Sequence, residues 1–311
     1  MSRAIVIRGP AVLDGRVSQP QLLSAWAGHW TGAGTGVTVI VPPPGTTAAG
    51  EVRGGAPATR EFALLDPTRL VDRVDAVVLS GGSAFGLAAG DGVLNLLRER
   101  GMGFPTPLGP VPIVVGMSIF DASVAADPPD AASGRHAMVA ALSGEEFALG
   151  AAGAGAGAST GKWRNRLDPG GLGMARAAAG PASVLAVAVV NAWGDVLGPD
   201  GRPLFGAGER PAAGRNPFGA TTGGESASLT NTTIAVVLTD ARLSKTDCFL
   251  LAQSGHTGFA RALHPAHSRF DGDAVVALAT GEVTEEVSVD LLRAVTTEVM
   301  AEAIRNAVIR N

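Results

Sequence analysis

The residues with the most chemical content lie at Leu229-Thr230-Asn231-Thr232-Thr233, where a long stretch rich in Gly and Pro meets the apolar run Ile234–Leu238. A threonine hydroxyl is a weak nucleophile until a base takes its proton. A threonine at a chain's N-terminus carries that base itself, since its α-amine has an unperturbed pKa of about 7.7–8.0. Thr232 is internal, so this chemistry needs the chain to be cut before it. An internal threonine can attack the preceding carbonyl, shift the acyl group from nitrogen to oxygen and lose it by ester hydrolysis, provided donors stabilise the oxyanion. Asn231-Thr232, between a loose segment and a stiff strand, meets those requirements. Asn-Thr-Thr also makes an ordinary turn before a strand, and at this point both readings stand.

Other groups invite a chemical reading, and their spacing removes most of them. Gly157-Ala158-Ser159-Thr160-Gly161-Lys162 looks like a phosphate-binding loop. That pattern needs Gly where Ala156 sits and Ser or Thr where Trp163 sits, which leaves a small-residue turn presenting Lys162. In Gly81-Gly82-Ser83-Ala84-Phe85-Gly86, Phe85 holds the place where a nucleophile elbow needs Gly, so Ser83 is not read as a nucleophile. The helix start at Gly81–Ser83 still offers backbone N–H groups that favour an anion, or it is simply a tight turn packing helix on sheet. His256, His264 and His267 match no zinc spacing, and Asp271-Gly272-Asp273 lacks the further oxygen ligands of a calcium loop. No metal or other cofactor is expected. Cys248, beside Phe249-Leu250-Leu251, reads as a small buried hydrophobe. A single cysteine excludes an internal disulfide framework and fits a reducing compartment.

These residues need a frame. Runs rich in Val or Ile predict strands at Gly36–Val41, Ala76–Leu79, Val111–Val115, Val184–Val190 and Ile234–Leu238. Helical spacing is clearest over Leu87–Arg100, stopped by Gly101, and over Val287–Ile309. Strands and helices do not alternate regularly, which predicts a layered α+β domain rather than a doubly wound sheet. Gly150–Gly161 and Asp200–Thr230 read as irregular, and a loop as long as the second tends to be functional or flexible. With 46% hydrophobic and 17% charged residues the chain can bury a core, and its 43 Gly and 20 Pro are spread as in a globular protein. A net charge of −4 gives no basic face for nucleic acid. Arg3, Arg8 and Gly9-Pro10 interrupt any signal-peptide core, and Val184–Val190 falls far short of the ~20 residues that span a bilayer. The expected setting is the cytoplasm, with no membrane.

The whole chain resembles the P1 family of self-processing peptidases, which contains L-aminopeptidase/D-esterase, β-peptidyl aminopeptidases and nylon-oligomer hydrolases. The resemblance runs through Gly34-Thr35-Gly36-Val37-Thr38-Val39, Val52-Arg53-Gly54-Gly55-Ala56-Pro57 and Leu79-Ser80-Gly81-Gly82-Ser83-Ala84-Phe85-Gly86-Leu87. It continues in Gly103-Phe104-Pro105, Val111-Pro112-Ile113-Val114, Val190-Asn191-Ala192, Gly194-Asp195-Val196, Asn231-Thr232-Thr233-Ile234-Ala235-Val236-Val237 and Phe270-Asp271-Gly272-Asp273. It implies a single-domain four-layer αββα sandwich of the DmpA/ornithine-acetyltransferase type, N-terminal-nucleophile-like, cut into an α chain 1–231 and a β chain 232–311. It implies Thr232 as nucleophile, Asn191 as oxyanion donor, and Asp271 and Asp273 as residues that orient the Thr232 amine and relay protons. Lys162 matches the lysine of the nylon-hydrolase branch, which tunes the nucleophile's electrostatics. Read as residues alone, Asn191 could cap a strand, Asp271-Gly272-Asp273 could be a plain turn, and Lys162 could be solvated surface. The chain has no tyrosine, whereas some members carry one near the site, and Phe120 or Arg135 is expected in its place. Gly81, Gly82, Ser83 and Phe120 are the expected substrate and oxyanion pocket. The implied activity is hydrolysis of amide bonds in small peptides or peptide-like oligomers, by a homo-oligomer of tetramer size or larger. The rival reading is an acyltransferase or cyclase resembling ornithine acetyltransferase, in which an amine accepts the acyl group.

Overall fold

The structure, a computed structural model, describes residues 19–206 and 231–309, with the backbone of two short strands at Val12–Leu13 and Arg16–Val17. The segment of the long predicted loop from 207 to 230 lies outside the described residues. The main strands are β1 (Trp26–Gly32), β2 (Thr35–Val41), β3 (Thr47–Val52), β4 (Thr59–Arg60) and β5 (Ala76–Ser80). They continue with β6 (Val114–Ser118), β7 (Gly171–Ala179), β8 (Ala182–Asn191), β9 (Thr232–Ala241) and β10 (Ala274–Val283). The helices are α1 (Ser83–Gly86), α2 (Ala89–Glu99), α3 (Ala131–Ser143), α4 (Lys245–Ala262) and α5 (Val289–Asn306).

Two five-stranded sheets form, in the orders β1-β2-β5-β6-β4 and β7-β8-β9-β10-β3. In each, one parallel pair, β5/β6 or β9/β10, sits among antiparallel neighbours. Side chains alternate across a strand, so a strand inside a sheet serves two cores. In β9, Ile234, Val236 and Leu238 face the other sheet, while Ala235 and Val237 face α4 and α5. In β8 the odd residues Leu185, Val187 and Val189 enter the intersheet core, and the even residues from Val184 to Val190 pack under the helices. Val37, Val39, Ala76 and Val78 face α2 and α3. The result is helix, sheet, sheet, helix, with β9 buried on both faces. Fully burying each Val, Leu or Ile of this kind contributes about 1.5–3 kcal/mol.

Small residues set the helix spacings. A methyl at Gly92 would fall 1.8 Å from the Ala131 carbonyl oxygen, and one at Gly134 would fall 1.9 Å from that of Ala89. Glycine therefore lets α2 and α3 touch along their backbones. One predicted strand is displaced: the observed strand is Val114–Ser118, and Val111 makes only an isolated bridge to Phe104. Pro112 carries no N–H for a ladder bond, so the strand starts beyond it.

Candidate active site

Topology brings the expected residues to one end of the second sheet. β9 and β10 are parallel, so both begin there, and β8 runs antiparallel to β9, so it ends there. Register sets Asn191, the last residue of β8, opposite Thr232, the first of β9. Ala274 pairs with Ile234, which places Asp271, Gly272 and Asp273 just ahead of β10 and beside Thr232. Asn231 and Thr232 are both buried, and Thr232 Oγ1 is hydrogen-bonded to the carbonyl oxygen of Asn231.

Asn191 is held at both ends of its amide. Its Oδ1 accepts from Ser159 N–H at 3.0 Å and from Lys162 Nζ at 2.7 Å, and its Nδ2 donates to the Phe120 carbonyl at 2.9 Å. Two donors on the oxygen fix the orientation of the amide, with the nitrogen as its donor end. Lys162 Nζ also donates to the Asn191 main-chain carbonyl at 3.1 Å. Lys162 is 7% exposed, so it is not the surface lysine that a small-residue turn suggested. Burial pushes its pKa down to about 7, and the nearby Asp271 charge opposes that fall.

The turn carrying Lys162 is docked on the turn that follows Asn191. Gly161 N–H donates to the Gly194 carbonyl at 2.9 Å, Trp163 N–H donates to the Trp193 carbonyl at 3.0 Å, and Arg164 pairs with buried Asp195. Asp271 accepts from Trp193 N–H at 3.3 Å and from Ser268 through its N–H at 3.0 Å and its hydroxyl at 2.5 Å. Burial, and then the Asp273 charge, pushes the Asp271 carboxyl up to about 6. Asp273 accepts the Thr233 N–H at 2.8 Å, one residue past the nucleophile candidate.

At Gly81–Ser83, the expected anion pocket, each main-chain amide makes a hydrogen bond within the protein. Gly81 N–H donates to the Gly36 carbonyl, Gly82 N–H to Asp121 Oδ1 and Ser83 N–H to the Ile119 carbonyl. All three amides already have acceptors inside the protein, and α1 is a single turn of helix. Phe120 lies at the site through its backbone carbonyl. Arg135 does not, because it holds Glu99 with two hydrogen bonds on the outer helix layer. Among the described residues, no group of three His, Cys, Asp or Glu side chains is placed to hold a metal ion, and no helix is long and apolar enough to cross a membrane.

The sequence pattern of peptidase family S58 matches residues 16–311. The chain belongs to peptidase family S58. An uncharacterized aminopeptidase of Mycobacterium tuberculosis is 42% identical over 286 residues, covering 86% of this chain and 80% of its own. A 6-aminohexanoate-oligomer endohydrolase of Agromyces sp. is 31% identical over 315 residues, covering 92% and 83%. Among solved structures, a beta-aminopeptidase of Burkholderia sp. superposes with a TM-score of 0.68 at 22% identity, covering 91% of this chain and 84% of that one. An L-aminopeptidase D-Ala-esterase/amidase from Ochrobactrum anthropi, described as a variant of the Ntn hydrolase fold, gives 0.66 at 18%, covering 96% and 88%. The fold is therefore the αββα sandwich of the N-terminal-nucleophile kind. As a member of this peptidase family, the chain is a hydrolase of amide bonds.

Two residues of this S58 peptidase escaped the sequence reading. Gly272, in the middle of Asp271-Gly272-Asp273, sits against the nucleophile candidate, for a methyl there would lie 2.8 Å from Thr232 Oγ1. A glycine between two acids just ahead of a strand was the available signal. His267 grips Asp273, and nothing in the spacing of the three histidines marked it out from the other two.

Proposed function

We propose that this peptidase cuts its own Asn231–Thr232 bond and then uses Thr232 as an N-terminal nucleophile on small peptides or peptide-like oligomers. The observation that carries the proposal is the meeting of Thr232, Asn191, Lys162 and the 271–273 turn at one sheet end, with Thr232 Oγ1 beside the carbonyl it would attack. In processing, Oγ1 bonds to the Asn231 carbonyl carbon and the C–N bond breaks. The hydroxyl proton ends on the freed Thr232 amine, and water hydrolyses the ester to leave a carboxylate on Asn231. In turnover, Oγ1 attacks the substrate carbonyl and the Thr232 amine takes its proton. The same amine then protonates the departing amine, and water releases the acyl group. Asn191 Nδ2 is the donor for the oxyanion, a role worth about 10²–10³ in rate. Lys162, whose pKa is pushed down to about 7, adjusts its charge near neutral pH beside that amide; Asp273 holds the strand start that presents the amine, and Asp271 holds the turn that follows Asn191.

The 42% identical aminopeptidase and the 31% identical 6-aminohexanoate-oligomer hydrolase support this substrate class. Assembly as a homo-oligomer in the cytoplasm belongs to the same proposal, and light scattering and fractionation would check it. Mass spectrometry of the purified 31.2 kDa chain should find two polypeptides, one ending at Asn231 and one beginning at Thr232. Thr232→Ala should remain whole and inactive. A wild-type chain that stays intact yet hydrolyses substrate would refute the proposal.

A further inference from the structure

The loop between α4 and β10 makes a contact that the reaction above does not use. His267 adopts a left-handed backbone (φ 57°), which few residues apart from Gly and Asn take without cost. That turn of the chain aims its main-chain N–H, at 3.0 Å, and its ring Nδ1, at 2.8 Å, at one oxygen, Oδ2 of Asp273. The other oxygen, Oδ1, accepts the Thr233 N–H at 2.8 Å. Asp273 is 1% exposed, so these three donors set its orientation. A carboxyl oxygen is an acceptor for a ring N–H, so the tautomer with its proton on Nδ1 completes this contact. The ring is itself held, stacked 5.7 Å from Phe259 at 26° and set edge-on 4.8 Å from His256.

We infer that His267 is a positioning residue for the reaction. Through Asp273 it fixes the Thr233 amide, and so the angle at which the neighbouring Thr232 meets the acyl carbon. The inference rests on the reading of Thr232 as the nucleophile. A carboxylate that loses one of its donors can swing, and the strand start it holds swings with it. A misplacement near 1 Å at a reacting group costs about a hundredfold in rate.

Three variants separate the side chain from the strained backbone. His267→Asn puts an amide nitrogen where Nδ1 was and tolerates the left-handed region. His267→Gly suits the backbone but removes the donor, and His267→Gln carries its amide nitrogen nearer the place of Nε2. Self-cleavage rate, kcat and KM are measured on each. His267→Asn should stay close to wild type. His267→Gly and His267→Gln should lose ten- to a hundredfold in kcat and in self-cleavage, with KM unchanged. Added imidazole should restore part of the His267→Gly loss, because His267 is among the residues Pro265–Phe270 that line a cavity of about 450 Å³. Should His267→Gly fail to fold, the pair of Asn and Gln variants decides alone. Wild-type rates in the Gln variant, or an Asn variant as slow as Gln, would overturn the inference. An uncut wild type in the same assay would instead overturn the reading of Thr232.

Discussion

Gly272 has no side chain where the chain passes beside Thr232, and adding one is a direct test of the site. A methyl there would sit 2.8 Å from Thr232 Oγ1, 3.0 Å from the Ala56 carbonyl oxygen and 3.2 Å from Thr232 Cγ2. Comfortable contacts of carbon are about 3.5–4.0 Å, so something must move by roughly half an ångström to an ångström. The Ala56 backbone is tied down, its N–H donating to the Asp271 carbonyl at 2.9 Å. Thr232, at the end of its strand, is the partner that gives. The backbone of Gly272 lies outside the left-handed region, so alanine is tolerated there apart from its methyl. A displacement near 1 Å costs about a hundredfold, so Gly272→Ala should slow self-cleavage and turnover ten- to a hundredfold. Overpacking of this size costs about 1–3 kcal/mol, so the variant should fold and melt only slightly earlier. The assay follows the 31.2 kDa chain on a denaturing gel from the moment of purification, with circular dichroism as the folding control. A folded Gly272→Ala that processes at the wild-type rate would refute the placement of the reacting oxygen against this turn.

Lys162 gives a pH test. Its pKa is about 7 in the fold against an ordinary 10.5, so between those values the unfolded chain binds the extra proton and stability rises with pH. Denaturant titrations at both ends of that window should show the rise, and Lys162→Met should flatten it. Asp271 works in the acid range. Its pKa rises from 3.8 to about 6, so the folded chain keeps the proton longer and stability falls as pH climbs between those values, a slope that Asp271→Asn should remove. Asp195→Asn breaks the buried pair with Arg164, which should cost about 3–5 kcal/mol in thermal or chemical unfolding. It should also slow self-cleavage, because the Lys162 turn loses an anchor.

The parts of the fold legible in the sequence were those built from large β-branched residues. Val184–Val190 and Ile234–Leu238 lie inside β8 and β9, and leucines and valines at helical spacing mark α2 and α5. Helices α3 and α4 were not read, for a shared reason. Their buried faces mix small residues, Gly134, Ala137 and Ala141 in α3 and Cys248, Ala252, Gly255 and Gly258 in α4, with a few large ones, Met138 and Leu142, Leu251 and Phe259, which breaks up the apolar stripe. A methyl at Gly258 would fall 2.6 Å from Met300 Cβ, so part of the face of α4 is given to close packing against α5 instead of to large apolar side chains. In the site, Asn191 and the two aspartates could be found by resemblance, but what they bind could not. Burial of Lys162 follows from the docking of its turn on Trp193 and Gly194, which are far from it in sequence. The occupied amides of Gly81–Ser83 depend on Asp121 and Ile119, on another strand's end.

The strand that begins at Thr232 is bonded to β8 on one side and to β10 on the other, and it is buried on both faces. A cut at its first residue would leave both fragments interleaved in one sheet. Residues 232–311 would supply two of its five strands and the whole of one helix layer. Before the cut, folding is unimolecular. After it, the same native contacts join two molecules, and once pulled apart they must find each other by diffusion. Dilution would then lower the unfolding midpoint of the processed protein while leaving that of the uncut Thr232→Ala chain unmoved. Processing would make the enzyme active and, in the same step, make its unfolding hard to reverse.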